Sequence, residues 1–426
     1  SEPFLVEALT FRMRGHEEAS GVKYVPEYLM KKWSKKDPII NYENFLIDSS
    51  ILTSSDVKKI KQKISKEIEI NLDKTFKEEN IFSTIENELS DVFAEFKFEK
   101  TNTSKKVKEI RFVDSISDGL KEVMVKNEDL VIMGQDIAEY GGVFKITEGF
   151  IDLFGKDRIR NTPICESSII EAAMGLSICG RKSIVELQFS DFITSGFNPV
   201  VNYLAKSHYR WGQNADIVLR MPCGAGVGAG PFHSQTNEAW FTKTPGLIIV
   251  YPAFPDDAKG LLISSVENPN PVLFFEHKGL YRSIRGNVPE GYYNTPIGKS
   301  KLLNVGRDIT IITYGAGVHE AIKSVKKHFV DADLIDLRTL VPLDKESIIQ
   351  SVNKTGKAII LQEDSLFGGL ASEISSIIME NCFENLDAPV VRVGSLDTPI
   401  PFDDKLEKQY LPFERFEKEL LKILNY

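Results

Sequence analysis

Four short stretches decide the fold: KSIVELQF (182–189), DIVLRMP (216–222), GLIIVYP (246–252) and PVLFFEH (271–277). Each is apolar at successive positions rather than at alternate ones, which is the texture of a strand buried on both faces of a parallel sheet. DLVIMGQD (129–136) reads the same way. Helical stretches lie between them, among them SSIIEAAMGLSIC (167–179) and PDDAKGLLISSVEN (255–268). Residues 281–305 interrupt the pattern with Arg, Gly and Pro. A second series follows in DITIITYG (308–315), DADLIDLRTL (331–340), KAIILQED (357–364) and APVVRVGS (388–395), with helices at 318–329 and 413–424. Strands alternating with helices mean two consecutive parallel-sheet α/β domains.

Upstream the texture differs. PFLVEALTF (3–11) reads as one strand, and the rest of residues 1–96 is mainly helical. Val57, Ile60, Ile64, Ile68, Leu72 and Phe76 recur at spacings of three and four, with Ser54, Ser55 and Asp56 as candidate caps. KFEKTNTSKKVKE (97–109) is polar and aperiodic and reads as a linker. The expected organisation is a helical segment at 1–96, a linker at 97–109 and α/β domains at 110–290 and 291–426. At ~150 residues per domain, 426 residues also suggest roughly three units.

Composition narrows the function. Lys and Arg number 52 against 61 Asp and Glu, a net charge of −9, which argues against general nucleic-acid binding. No apolar run reaches the ~18 residues of a membrane helix. SEPFLVEALTFR (1–12) has no basic segment leading into an apolar one, so no secretion signal is read there. The four cysteines form no CxxC pair, which makes a reducing cytoplasm the expected setting.

Two segments are candidates for chemistry. PCGAGVGAGPFHSQ (222–235) alternates glycines at 224, 226, 228 and 230 but lacks both the dinucleotide fingerprint and the Gly-Lys-Ser/Thr of a P-loop. Its glycines let the backbone approach something closely and deliver His233 there. A tight crossover loop with a surface histidine is the bland alternative, and spacing alone favours it. Glu166, in NTPICESSIIEAAMG (161–175), enters an apolar helix between Ile164, Cys165 and Ile169. A carboxyl group desolvated in this way suits proton donation near neutral pH. A carboxylate that merely favours the helix dipole is the alternative, and again the simpler of the two. No G-x-S-x-G elbow occurs, and no histidines are spaced as zinc ligands on one helix.

Taken together, the ordered segments GQDIAEYGGVFKIT (134–147), RIRNTPICES (158–167), VELQFSDF (185–192), HSQ (233–235), PVLFFEHKGLYR (271–282), IDLRTLVPLD (335–344) and GGLASEISS (368–376) resemble the β-subunit of the thiamine-diphosphate-dependent first component of 2-oxo acid dehydrogenase complexes. The resemblance runs from about residue 108 to the end of the chain. It implies a transketolase-like pyrimidine-binding domain followed by a transketolase-like C-terminal domain. PFLVEALTFRMRGHEEASG (3–21) and YLMKKWSKKDP (28–38) resemble the end of the α-subunit of the same enzymes. Where some relatives carry a regulatory serine after the histidine, this chain has Glu17, so that phosphorylation is not expected here.

The resemblance implies roles. Glu166 matches the glutamate that hydrogen-bonds the cofactor's aminopyrimidine nitrogen, and Phe192 the aromatic that stacks on that ring. Tyr stands at Phe192's position in branched-chain relatives. Ile164 occupies the place of a pocket aliphatic. His233 matches the proton donor and acceptor used as the acyl group passes to a lipoyl arm, and His16 an α-subunit histidine near the cofactor. Potassium is implied at Ala215, Ile217, Val218, Ser265, Asn268 and Asn270. The Gly-Asp-Gly segment that holds magnesium and diphosphate in the family occurs nowhere in this sequence. Magnesium ligands are therefore expected from a missing α-half.

The expected activity is oxidative decarboxylation of a 2-oxo acid, branched-chain (3-methyl-2-oxobutanoate-like) on the strength of LQFSDF and FFEHKGLYR. The rivals are a pyruvate or acetoin dehydrogenase subunit, a non-catalytic paralogue, and a sugar-phosphate enzyme of the wider superfamily. The expected partners are the α-half, a lipoylated acyltransferase and a second copy of the chain, with neither nucleic acid nor membrane.

Overall fold

The computed structural model describes residues 4–426, which form two compact units, 4–83 and Thr84–Tyr426. Among the described residues, no helix is long and apolar enough to cross a membrane.

The first unit carries helices Glu27–Ser34, Pro38–Asp48 and Ser54–Thr75. The long one starts where a capping box fixes it. The N-cap is Thr53 rather than the serines that follow, and the Thr53 amide and hydroxyl donate to Asp56 while the Asp56 amide donates back to Thr53 Oγ1 at 3.2 Å. Its apolar stripe forms at the expected spacing, yet none of the helix's residues is buried. The strand read at 3–11 does not form: residues 4–11 lie in no strand, with Phe4 and Leu5 exposed, and Pro3 lies outside the described residues. A strand exists only through its ladder, and no described segment pairs with this one.

The second unit contains a seven-stranded sheet in the order Thr339–Val341, Ile248–Val250, Val272–His277, Ile217–Cys223, Ser183–Glu186, Val131–Gly134, Ile159–Asn161. All neighbours pair in parallel except Thr339–Val341, which runs antiparallel along Ile248–Val250. A five-stranded sheet follows: Val391–Ser395, Ala358–Ser365, Ile309–Thr313, Ala332–Asp336 and the antiparallel edge Lys301–Asn304. DADLIDLRTL is therefore two strands, one in each sheet. The central strands are buried at every residue because apolar side chains pack on both faces, Leu219 and Met221 on one and Val218 on the other.

The linker read at 97–109 is partly ordered into a sheet. Val107–Arg111 pairs antiparallel with Arg285–Pro289. Upstream of it, two buried asparagines strap the chain down. Asn270 accepts from the Ala94 amide at 2.8 Å and donates to the Ala94 carbonyl at 3.0 Å, and Asn294 accepts from the Thr101 amide at 2.9 Å. Such side-chain partners satisfy backbone groups that have no ladder of their own.

At the centre of the larger sheet lies a fully buried cation. Arg220 grips Glu276 through two bonds, Nε to Oε1 at 2.7 Å and Nη2 to Oε2 at 2.8 Å, and also contacts Glu186. Tyr281 donates to Glu276 Oε2 at 2.7 Å. Burial pushes the Glu186 carboxyl up, against the opposing pull of Arg220. Burial alone would lower the Arg220 pKa, but Glu276 and Glu186 outweigh it and raise it.

Candidate active site

Five neighbouring parallel strands each deliver a residue at their carboxyl ends, where open α/β sheets bind ligands. Glu166 follows Ile159–Asn161, Gln135 follows Val131–Gly134, Phe189 and Phe192 follow Ser183–Glu186, the glycine loop with His233 follows Ile217–Cys223, and Lys278 follows Val272–His277.

Glu166 is the first residue of helix Glu166–Ile178 and is buried. Gln135 Nε2 donates to its Oε1 at 3.1 Å. Its Oε2 has no hydrogen-bond partner among the described residues, so one acceptor on a buried carboxylate is available to a ligand. Phe192 sits on a 3₁₀ turn, Ser190–Thr194, and Gly196 just after it lies against the start of this helix. A Cβ on Gly196 would lie 2.5 Å from Ile170 Cδ1 and 3.6 Å from the Glu166 carbonyl oxygen. The chain leaving the turn thus needs glycine at 196 to pass this close to the helix.

His233, half-buried, stands edge-on to two aromatic rings: 4.9 Å from Phe189 at 88° and 5.5 Å from Phe192 at 80° between planes. Phe144 also meets Phe189 edge-on, at 5.9 Å. The buried Lys278 ammonium lies 5.5 Å from the Phe189 centroid and donates to the Gly224 carbonyl at 2.9 Å. Burial lowers the Lys278 pKa, against the raising effects of Cys223 and Asp191. Asp191 accepts from the Gln235 amide at 3.2 Å and leaves Oδ2 buried without a partner. A half-exposed aromatic face, a carboxylate with a free oxygen and a ring nitrogen pair on an imidazole together suit a heteroaromatic ligand that needs one stack and one proton partner.

The other expected residues are placed differently. Ile164 is 83% exposed and forms no pocket wall within this chain. His16 is an exposed residue of the first unit, just before a turn closed by the Ser20 amide donating to the Glu17 carbonyl at 3.0 Å. Of the potassium set, Ile217 and Val218 lie within the sheet, and the Ile217 amide donates to the Ala215 carbonyl at 2.9 Å. The Ser265 hydroxyl donates to Leu261, and Asn268 Oδ1 accepts from Asn270. These side chains are occupied by one another and by the backbone. No group of three or more His, Cys, Asp or Glu among the described residues could hold a metal ion.

Sequence reasoning missed Gln135, Phe189, Lys278 and Asp191. Each follows a strand by at most five residues, which was the available signal.

Comparison with known proteins shows the family to which the chain is similar. Residues 108–283 match the transketolase pyrimidine-binding domain, 298–415 the transketolase C-terminal domain, and 1–81 the dehydrogenase E1 component. The chain is 42% identical over 306 residues to the 2-oxoisovalerate dehydrogenase subunit beta of Bacillus subtilis, covering 70% of this chain and 94% of that one. It is 41% identical to the mitochondrial 2-oxoisovalerate dehydrogenase subunit beta of Dictyostelium discoideum, covering 72% and 85%. It is 38% identical to the pyruvate dehydrogenase E1 component subunit beta of Staphylococcus epidermidis, covering 71% and 95%. Among solved structures, a split-gene transketolase, described as an inactive beta4 tetramer, superposes with a TM-score of 0.61 at 21% identity, covering 74% and 98%, and shares the fold.

Proposed function

Starting from a chain that belongs to the β-subunits of 2-oxo acid dehydrogenase E1 components, carried with an E1 segment before it, we propose that its substrate is a branched-chain 2-oxo acid of the 3-methyl-2-oxobutanoate type. E1 components are lipoamide-acylating oxidoreductases that depend on thiamine diphosphate, and their β-subunits pair with α-subunits and an acyltransferase. The branched-chain reading is supported by the identities of 42% and 41% to 2-oxoisovalerate dehydrogenase subunits, against 38% to a pyruvate dehydrogenase subunit. In this reading the α-subunit brings the magnesium and diphosphate site, two copies of the chain pair, and the enzyme works in a reducing cytoplasm.

The observation that carries the site assignment is the buried Glu166 carboxylate, tethered by Gln135 at one oxygen and free at the other. Thiamine diphosphate, when bound, supplies the nucleophilic carbon and the electron sink for decarboxylation. Glu166 Oε2 holds a proton toward the pyrimidine nitrogen, and Gln135 fixes the rotamer that aims it. Phe192 offers its face to the pyrimidine. His233 gives and takes a proton as the acyl group leaves for the lipoyl arm, while Phe189 and Phe192 keep water from the imidazole edge. His16 is read as the cofactor-side histidine of the E1 segment, Ile164 would line the substrate cavity against the α-subunit, and a potassium ion would rest on carbonyls of Ala215, Ile217 and Val218 beside Ser265, Asn268 and Asn270.

The test is a substrate panel. Enzyme assembled with its α-subunit is assayed for carbon dioxide release from 3-methyl-2-oxobutanoate and pyruvate, and for acetaldehyde release from acetoin. The branched acid should have the highest kcat/KM, and a preference for pyruvate would overturn the reading.

A further inference from the structure

The glycine loop was expected to approach something closely, and the structure identifies it. Gly224, Gly226, Gly228 and Gly230 all have positive φ, at 95°, 83°, 67° and 68°, so the loop turns left-handed at every second residue. Alternating left-handed glycines of this kind make an anion-binding nest. Here the anions are side chains from far along the chain. The Ala225 amide donates to Glu363 Oε1 at 2.7 Å. The Gly226 amide donates to Glu407 Oε1 at 2.9 Å, and the Gly228 amide to Glu407 Oε2 at 3.1 Å. Glu407 is only 4% exposed and sits in helix Asp404–Tyr410. At the loop's end, a Cβ on Gly230 would fall 2.3 Å from the Phe402 ring.

The clamp ends three residues before His233, whose amide donates to the Gly230 carbonyl at 3.5 Å. On the other flank, Asp191 and Ser190 hold Gln235. We propose that Glu407 is the positioning residue of His233: seated in the amide nest, it fixes the loop that aims the imidazole at the acyl group. This gives residues of the C-terminal segment a part in acyl transfer that they play through the loop amides. The inference rests on the role of His233 in acyl transfer proposed above.

The physical basis is the strength of N–H bonds to a buried carboxylate, which exceed those to a neutral acceptor. Glu407→Gln keeps the shape but loses the charge and one acceptor oxygen. A catalytic group displaced by about 1 Å costs up to ~100-fold.

The experiment is a double-mutant cycle on enzyme assembled with its α-subunit, read as single-turnover acyl transfer to a lipoyl domain and, separately, as decarboxylation with an artificial electron acceptor. Glu407→Gln should slow acyl transfer by at least about tenfold and decarboxylation by less than about threefold. In a His233→Ala background it should cost nothing further. Equal losses in both backgrounds would overturn the positioning role. If His233→Ala itself spares acyl transfer, it is the reading of His233 that fails. Gly228→Ala, which strains the nest from an exposed position with nothing closer than 3.8 Å to its Cβ, provides a second variant if Glu407→Gln does not fold. It should reproduce the selective loss, and an unchanged acyl-transfer rate would count against the clamp.

Discussion

Gln135 donates to Glu166 from the end of a neighbouring strand, so the carboxylate is held by the sheet rather than by its own helix. The first turn of helix Glu166–Ile178 has no side-chain cap, and Cys165 before it adopts φ −160° and ψ 69°. What orients Glu166 is therefore an amide side chain placed by the strand register. A site built on strands keeps its geometry better than one built on loops.

Glu166→Gln should reduce decarboxylation by ~10²–10⁴-fold, the usual range for removal of an acid–base group. Activity is measured with an artificial electron acceptor, and circular dichroism should show an unchanged fold. Activity within a few-fold of the parent enzyme would remove Glu166 from the mechanism.

Phe192→Ala should weaken cofactor binding. An offset aromatic stack contributes ~0.5–1.5 kcal/mol beyond burial, which is roughly two- to tenfold in Kd. Calorimetric titration of the assembled enzyme with thiamine diphosphate checks this. An unaltered Kd would mean that the ring faces something else.

Arg220→Met would strand Glu186 and Glu276 in the core of the sheet. Breaking a buried ion pair at one partner costs ~3–5 kcal/mol, because the remaining charge is left without compensation. Urea unfolding should show that loss at neutral pH. Removing both carboxylates as well, as Glu186→Gln with Glu276→Gln, should recover much of it.

The Asp336 carboxyl is pushed up to about 8 from 3.8 by burial and by the Asp257 charge, against Arg338. Because the folded value is the raised one, the folded protein binds a proton that the unfolded chain has released. Stability from this group is full below about pH 4, falls as pH rises toward 8, and is lost above it. The slope is at most about 1.4 kcal/mol per pH unit for one proton. Asp336→Asn should therefore gain on the parent protein as pH rises from 5 to about 8 and hold a constant advantage above that. Unfolding midpoints that run parallel across this range would refute the assignment.

Much of this architecture is legible in the sequence because the central strands are buried on both faces, so their pattern does not depend on partners. PVLFFEH and DIVLRMP could be little else. The strand read at 3–11 failed for the converse reason: a short apolar run becomes a strand only when another segment supplies its hydrogen bonds. The position of Glu166 at a helix start was readable from one turn of sequence. Gln135 was not, since its meaning comes from the lateral pairing of Gly134 with Asn161. The alternating glycines announced a close approach but not its object, because Glu407 and Phe402 lie more than a hundred residues downstream.

The strand Thr339–Val341 belongs by position to the second half of the chain and by pairing to the first sheet. During synthesis, Ile248–Val250 must leave the ribosome with one edge bare and stay so until residue 341 emerges. At typical elongation rates of ~5–20 residues per second the interval is on the order of ten seconds. A bare parallel edge is a template for other chains. The nascent first half is therefore a natural client for a holding chaperone, and any fragment ending before residue 339 should be recovered mainly as aggregate.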